Sequence, residues 1–97
     1  MTLAVFRVAP EHQPAFQKAW RALCAAFLEL PQPPISSMTL IQSNTDPSVF
    51  QSLGAWRSLE DVQAMRQDLR IVVLMNAMVA LTESVQPGEF TVLNVIP

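Results

Sequence analysis

The sequence is short of charge: only 14% of its 97 residues are Asp, Glu, Lys or Arg, against about a quarter in an average soluble domain. It has one cysteine, one histidine and no tyrosine. A lone cysteine cannot close an intramolecular disulfide, which suits a reducing cytoplasm. His12 and Cys24, twelve residues apart, supply no ligand cluster, so the sequence offers no metal site. The formal net charge of −2, with no basic run, argues against nucleic acid as a partner. Uninterrupted apolar runs such as Ile71–Met75 fall far short of the roughly 20 residues a membrane span requires. The N-terminus has no basic stretch followed by an apolar one and a small-residue cleavage site. There is no internal repeat and no low-complexity tract. These absences lead to the expectation of a cytoplasmic protein that binds neither nucleic acid nor membrane.

What is abundant is apolar. The chain is 51% hydrophobic with glycine left out, above the average of about 45–50% with glycine included. Ninety-seven residues suit one domain, 1–97, and a monomer of that size buries only roughly 60–65% of its unfolded surface. A homodimer is the simplest home for the surplus, since most soluble oligomers are symmetric homo-oligomers.

The pattern predicts six elements. Thr2–Val8 reads as a strand that is mainly apolar on both faces, Leu3 and Val5 opposing Ala4, Phe6 and Val8. A helix over Pro14–Leu30 follows, with Pro14 in its first turn and an apolar stripe of Phe16, Trp20, Leu23, Phe27 and Leu30. Pro31–Pro34 ends it. Ile35–Ser43 and Val49–Trp56 form an antiparallel pair around the turn residues Ser43–Pro47. Ser58 N-caps a second helix carrying Leu59, Val62, Met65 and Leu69, and the helix continues through Ile71–Leu81 with a kink near Asp68–Ile71. A turn at Gln86-Pro87-Gly88 then leads to a final strand, Glu89–Ile96, again apolar on both faces. The order β-α-β-β-α-β is an α+β, ferredoxin-like arrangement, an antiparallel sheet with helices on one face. The other face requires cover, and a second copy of the sheet would supply it.

The segment Leu53-Gly54-Ala55-Trp56-Arg57-Ser58-Leu59-Glu60-Asp61-Val62 is a strand ending in Trp, a polar pair and an acidic-capped helix. With the first strand leading through Pro10-Glu11 into a helix, and with the closing Gly88-Glu89-Phe90, it resembles the antibiotic biosynthesis monooxygenase-like family of dimeric α+β barrels. The resemblance spans nearly the whole chain as a pattern. It implies a dimer with a pocket between sheet and helices in each subunit. Members include cofactor-independent monooxygenases acting on polycyclic aromatic or quinol substrates, and haem-degrading enzymes. This sequence departs from the family at two places. Met65 stands where many members carry a histidine and where the haem-degrading branch has an aromatic residue, and no haem-ligating histidine lies near Met75. Haem degradation is therefore not expected, and no cofactor is assigned.

Candidate ligand-holding residues are Trp20 and Trp56, which can stack on a flat ring; Met65 and Met75, which can line an adaptable apolar cavity together with Met38 and Met78; and Asn76 and Asn94, polar side chains inside apolar elements. Arg7 is a third such polar residue, with a carboxylate of the other subunit as one candidate partner. His12 is the only residue of the usual general-base type, but it sits at a helix entry. Cys24 has no base at a recognisable spacing. Two functional readings follow. One is a small cofactor-independent monooxygenase-like protein acting on an aromatic or quinone-type molecule. The other is a non-catalytic dimeric binding or accessory protein holding a small apolar ligand.

Overall fold

The computed structural model describes residues 1–97. Four strands form one antiparallel sheet in the order β2-β3-β1-β4: β1 (Thr2–Arg7), β2 (Ile35–Gln42), β3 (Val49–Trp56) and β4 (Ser84–Glu89). Three helices, α1 (Gln13–Leu28), α2 (Leu59–Met65) and α3 (Leu69–Val79), supply the apolar residues that face the sheet. This is the ferredoxin-like α+β arrangement expected from the element order.

The pleat decides which side chains meet the helices. Thr2, Ala4 and Phe6 of β1 oppose Gly54, Ser52 and Phe50 of β3 in register, so these six lie on one face. Phe16 from α1 is fully buried over that face, its ring 5.1 Å from Phe6 and 5.3 Å from Phe50. Leu23 and Phe27 continue the α1 stripe, and Val62, Met65, Ile71 and Met78 complete the core from α2 and α3. The opposite face of β1 and β3 carries Leu3, Val5, Val49, Leu53 and Ala55, each half-buried.

The connections follow their local chemistry. Ser43 Oγ accepts from the amides of Thr45 and Asp46, and Asp46 Oδ1 accepts from the Ser48 amide and hydroxyl, closing the β2–β3 turn as its composition predicts. Those Ser48 contacts, with Arg7 beside them, hold the Asp46 carboxyl below the usual aspartate range. Arg7 therefore finds its carboxylate within the chain, 3.3 Å away at Asp46. Ser58 accepts from the Asp61 amide and caps α2 as expected.

Two expectations are corrected. The second helical region is two helices with a break at Arg66–Asp68, because Asp68 turns its side chain onto the Ile71 amide and starts α3 afresh. Leu59 and Leu69, the first residues of the two helices, are 57% and 77% exposed, although the periodicity assigns both to the core stripe. The last strand is the second correction. Gln86-Pro87-Gly88 is not a turn; it lies inside β4, which runs Ser84–Glu89 and pairs with β1 from Arg7↔Ser84 to Thr2↔Glu89. Pro87 is tolerated because β4 is an edge strand whose outer side needs no donor. The reversal falls earlier, where Leu81 and Thr82 donate to Met78 and Val79. Residues 91–97 continue past the end of β1 and pair with nothing in the chain.

Candidate functional site

The alternation Phe50, Ser52, Gly54, Trp56 along β3 puts one hydroxyl and one glycine on the helix-facing side of an otherwise aromatic row. That side is the floor of a cavity of about 460 Å³ between sheet and helices, within the range of about 300–1,000 Å³ typical of small-molecule sites. Thr2, Ala4, Ser52, Trp56 and Met38 line the floor, with Pro87 and Gly88 at the β4 edge. Leu23 and Phe27 from α1, Met65 from α2, and Met75 and Met78 from α3 form the roof. Arg66 is the one charged side chain in the lining, and it is paired with Glu89 of β4.

Both tryptophans are committed to neighbours. Trp56 folds back over Gly54, and its indole N–H donates to Thr2 Oγ1 at 2.8 Å. Its ring meets Phe27 edge-on, centroids 5.3 Å apart at 82°. Gly54 is the residue that permits this. A Cβ there would lie 2.8 Å from Thr2 Oγ1 and 2.9 Å from both Trp56 Nε1 and Met38 Sδ, closer than carbon tolerates. Trp20 reaches down from α1, and its indole N–H donates to Ser52 Oγ at 2.9 Å. Ser52 is the only buried polar or charged residue, 9% exposed. It is buried with a partner, as a buried hydroxyl must be.

Of the six residues singled out from sequence, Trp56, Met65 and Met75 come together around this cavity. Trp20 touches its floor only through Ser52. Its other side lines a separate groove of about 320 Å³ with Cys24, Leu28 and Met38. Asn76 is exposed on α3 and Asn94 lies in the exposed segment after β4; neither lines the cavity. His12 is likewise exposed. Cys24 is half-buried, and burial pushes its thiol up, which lowers its fraction of nucleophilic thiolate. No three His, Cys, Asp or Glu side chains cluster as metal ligands, and no helix is long and apolar enough to cross a membrane. Thr2, Ser52 and Gly54 were missed in the sequence. The legible signal for Ser52 was its place in the buried alternation of β3; nothing comparable marked Thr2, whose role depends on a partner 54 residues away.

The cavity therefore offers an apolar enclosure, an aromatic wall and two hydroxyls, and no side chain of general-base type. No protein-family model matches the sequence, and no curated protein sequence matches it. Solved structures do match. SnoaB, a cofactor-independent oxygenase from Streptomyces nogalater, is 18% identical, and the superposition covers 99% of this chain and 94% of that one, with a TM-score of 0.83, or 0.87 for a mutant form. Rv0793 from Mycobacterium tuberculosis is 14% identical over 99% of this chain and 96% of that one, with a TM-score of 0.80. An antibiotic biosynthesis monooxygenase is 14% identical over 99% and 97%, with a TM-score of 0.74. The fold of this chain is that of the antibiotic biosynthesis monooxygenase-like proteins.

Proposed function

We propose that the cavity between sheet and helices binds a small, flat, largely apolar molecule and that the protein acts on it as a cofactor-independent, monooxygenase-like protein. The observation that carries this reading is the lining itself: an apolar roof and floor, an aromatic wall at Trp56, and hydroxyls at Thr2 and Ser52. The likeness to a cofactor-independent oxygenase over almost the full length of both chains supports it. With no base in the lining, the chemistry is led by the substrate. An aromatic or quinol-type molecule with an acidic C–H₂ centre gives its proton to water and becomes a carbanion. The carbanion passes its electrons to O₂; one oxygen atom becomes a carbonyl on that carbon and the other leaves as water. The protein's part is to hold the anion in apolar surroundings, where hydrogen bonds to its oxygen are worth more than in water.

The missing base favours a second reading, a non-catalytic binding protein of the same fold. Oxygen uptake with a panel of dihydroxyanthracene-type and quinol substrates separates the two. Turnover that falls when the cavity is filled by Ala4→Leu is the expected result. Tight binding across the panel with no oxygen uptake would overturn the enzymatic reading and leave the binding one.

We further propose that residues 1–97 act as one unit and that two copies associate through the sheet face opposite the helices. The half-buried Leu3, Val5, Val49 and Leu53 on that face support it. So does the C-terminal segment, which holds five of the eleven exposed large hydrophobic residues: Phe90, Val92, Leu93, Val95 and Ile96. Contiguous exposed apolar surface marks an interaction site. Sedimentation at micromolar concentration should give twice the chain mass of 10.8 kDa. A monomer under those conditions would contradict the proposal. The single unpaired cysteine supports a reducing compartment such as the cytoplasm.

A further inference from the structure

The two cavity hydroxyls are set by their tryptophans. An indole N–H can only donate, whereas a hydroxyl both donates and accepts. Trp56 Nε1 donates to Thr2 Oγ1 and Trp20 Nε1 donates to Ser52 Oγ, so in each pair the oxygen is the acceptor. Each hydroxyl then has its own proton left to give. Neither gives it to a protein acceptor, since the indole contact is the only side-chain hydrogen bond either hydroxyl makes. Both line the cavity. Each indole occupies an acceptor position on its oxygen, so the O–H proton is the part of each hydroxyl that remains for a ligand in the cavity.

The register sets their separation. Thr2 opposes Gly54, and Ser52 opposes Ala4, so Thr2 and Ser52 are diagonal neighbours on the same face of adjacent antiparallel strands. Diagonal neighbours are roughly 7–8 Å apart. Gly54, directly across from Thr2, has no side chain of its own, and the space over it is taken by Trp56 Nε1 and Met38 Sδ. The only charged lining residue, Arg66, is held by Glu89, so nothing in the cavity calls for a charged ligand.

The geometry points to a paired hydrogen-bond relay, Trp56–Thr2 and Trp20–Ser52, that presents two O–H donors on the cavity floor and selects a neutral, flat ligand bearing two acceptor oxygens. Thr2 and Ser52 touch the ligand; Trp20 and Trp56 are positioning residues that act through them. On this assignment Trp56 holds Thr2 in place and does not donate to the ligand itself. The inference rests on the cavity being the ligand site, as proposed above, and adds which atoms read the ligand.

The test compares two planar probes with one tricyclic skeleton: 9,10-anthraquinone, with two carbonyl oxygens, and anthracene, with none. Affinities are measured by equilibrium dialysis on the full chain. Wild type should bind anthraquinone at least about tenfold more tightly, as two modest hydrogen bonds require. Ser52→Ala and Thr2→Val should each weaken anthraquinone by about fivefold and leave anthracene within about twofold. Ser52→Thr, which keeps the hydroxyl, should retain the preference. Trp20→Phe, which removes the N–H but not the bulk, should weaken anthraquinone alone by about threefold, because the Ser52 hydroxyl is then free to turn away. Equal affinity for the two probes in wild type, or equal loss of both in the variants, would overturn the relay while leaving the cavity as the site. Failure of wild type to bind either probe would overturn the cavity reading and the relay together.

Discussion

Replacing Gly54 by alanine should leave a folded protein whose Trp56 indole has lost its bond to Thr2. The added Cβ would meet three atoms at 2.8–2.9 Å, Thr2 Oγ1, Met38 Sδ and Trp56 Nε1. The methionine sulfur can move aside, but the other two are bonded to each other across the glycine. Relieving the overlap therefore means swinging the indole off the strand, against the Phe27 ring it meets edge-on. Overpacking of this kind costs roughly 1–3 kcal/mol. The ligand effect should be substantial as well, because the ring that lines the cavity is displaced and Thr2 loses its orienting partner. Anthraquinone affinity should fall by more than about tenfold, equivalent to about 1.4 kcal/mol. The chain has two tryptophans, so the change can be followed on a Trp20→Phe background, where Trp56 is the sole indole fluorophore. An emission spectrum and anthraquinone affinity unchanged by Gly54→Ala would show that the close approach at Gly54 is not what seats Trp56.

The second large effect is on stability. Phe16 is 0% exposed and its ring joins Phe6 of β1 and Phe50 of β3 to α1. Phe16→Ala removes that link and leaves a cavity with rigid strands on one side, which costs about 3–5 kcal/mol. Total stability for a domain is typically about 5–15 kcal/mol, so the variant should be close to its limit. Its Tm should drop by at least about 12 °C, and urea unfolding should show a much earlier midpoint with an unchanged slope. Leu28→Ala is the contrast on the same helix: Leu28 is 65% exposed, so its truncation should change stability by less than about 0.5 kcal/mol. Similar losses for the two variants would contradict the assignment of the core to the sheet-facing stripe of α1.

The same contrast explains what was readable in advance. The α1 stripe was legible because helical periodicity and burial agree along it: Phe16, Leu23 and Phe27 are all buried. On α2 and α3 they disagree. Leu59 and Leu69 fit the period but are the first residues of α2 and α3 and lie exposed, and the Asp68 cap restarts the helical phase between the two helices. A capping aspartate inside an apolar run gives a weak local signal, and its strength as a helix start depends on what the next turn packs against. The C-terminal strand failed for a related reason. Phe90–Ile96 has better strand composition than Ser84–Glu89, yet the latter is the partner of β1. Edge pairing is chosen by where the preceding helix delivers the chain, not by propensity alone.

The sequence by itself determined the class of fold. Element order, the proline-ended first helix, the Ser43–Pro47 turn and the Ser58 cap are all local chemistry, and together they admit few topologies. It also determined the apolar surplus and the scarcity of catalytic side chains, which are matters of composition. Only the tertiary structure decided the site. Asn76 and Asn94, the conspicuous polar residues, lie exposed, while Ser52 and Thr2, unremarked in the sequence, lie on the cavity floor beneath two indoles. The physical reason is that a side chain's direction follows from strand register and helix phase, and its protonic role from the partner it meets. Both are set by contacts across 32 and 54 residues of chain, a separation at which no local pattern carries information.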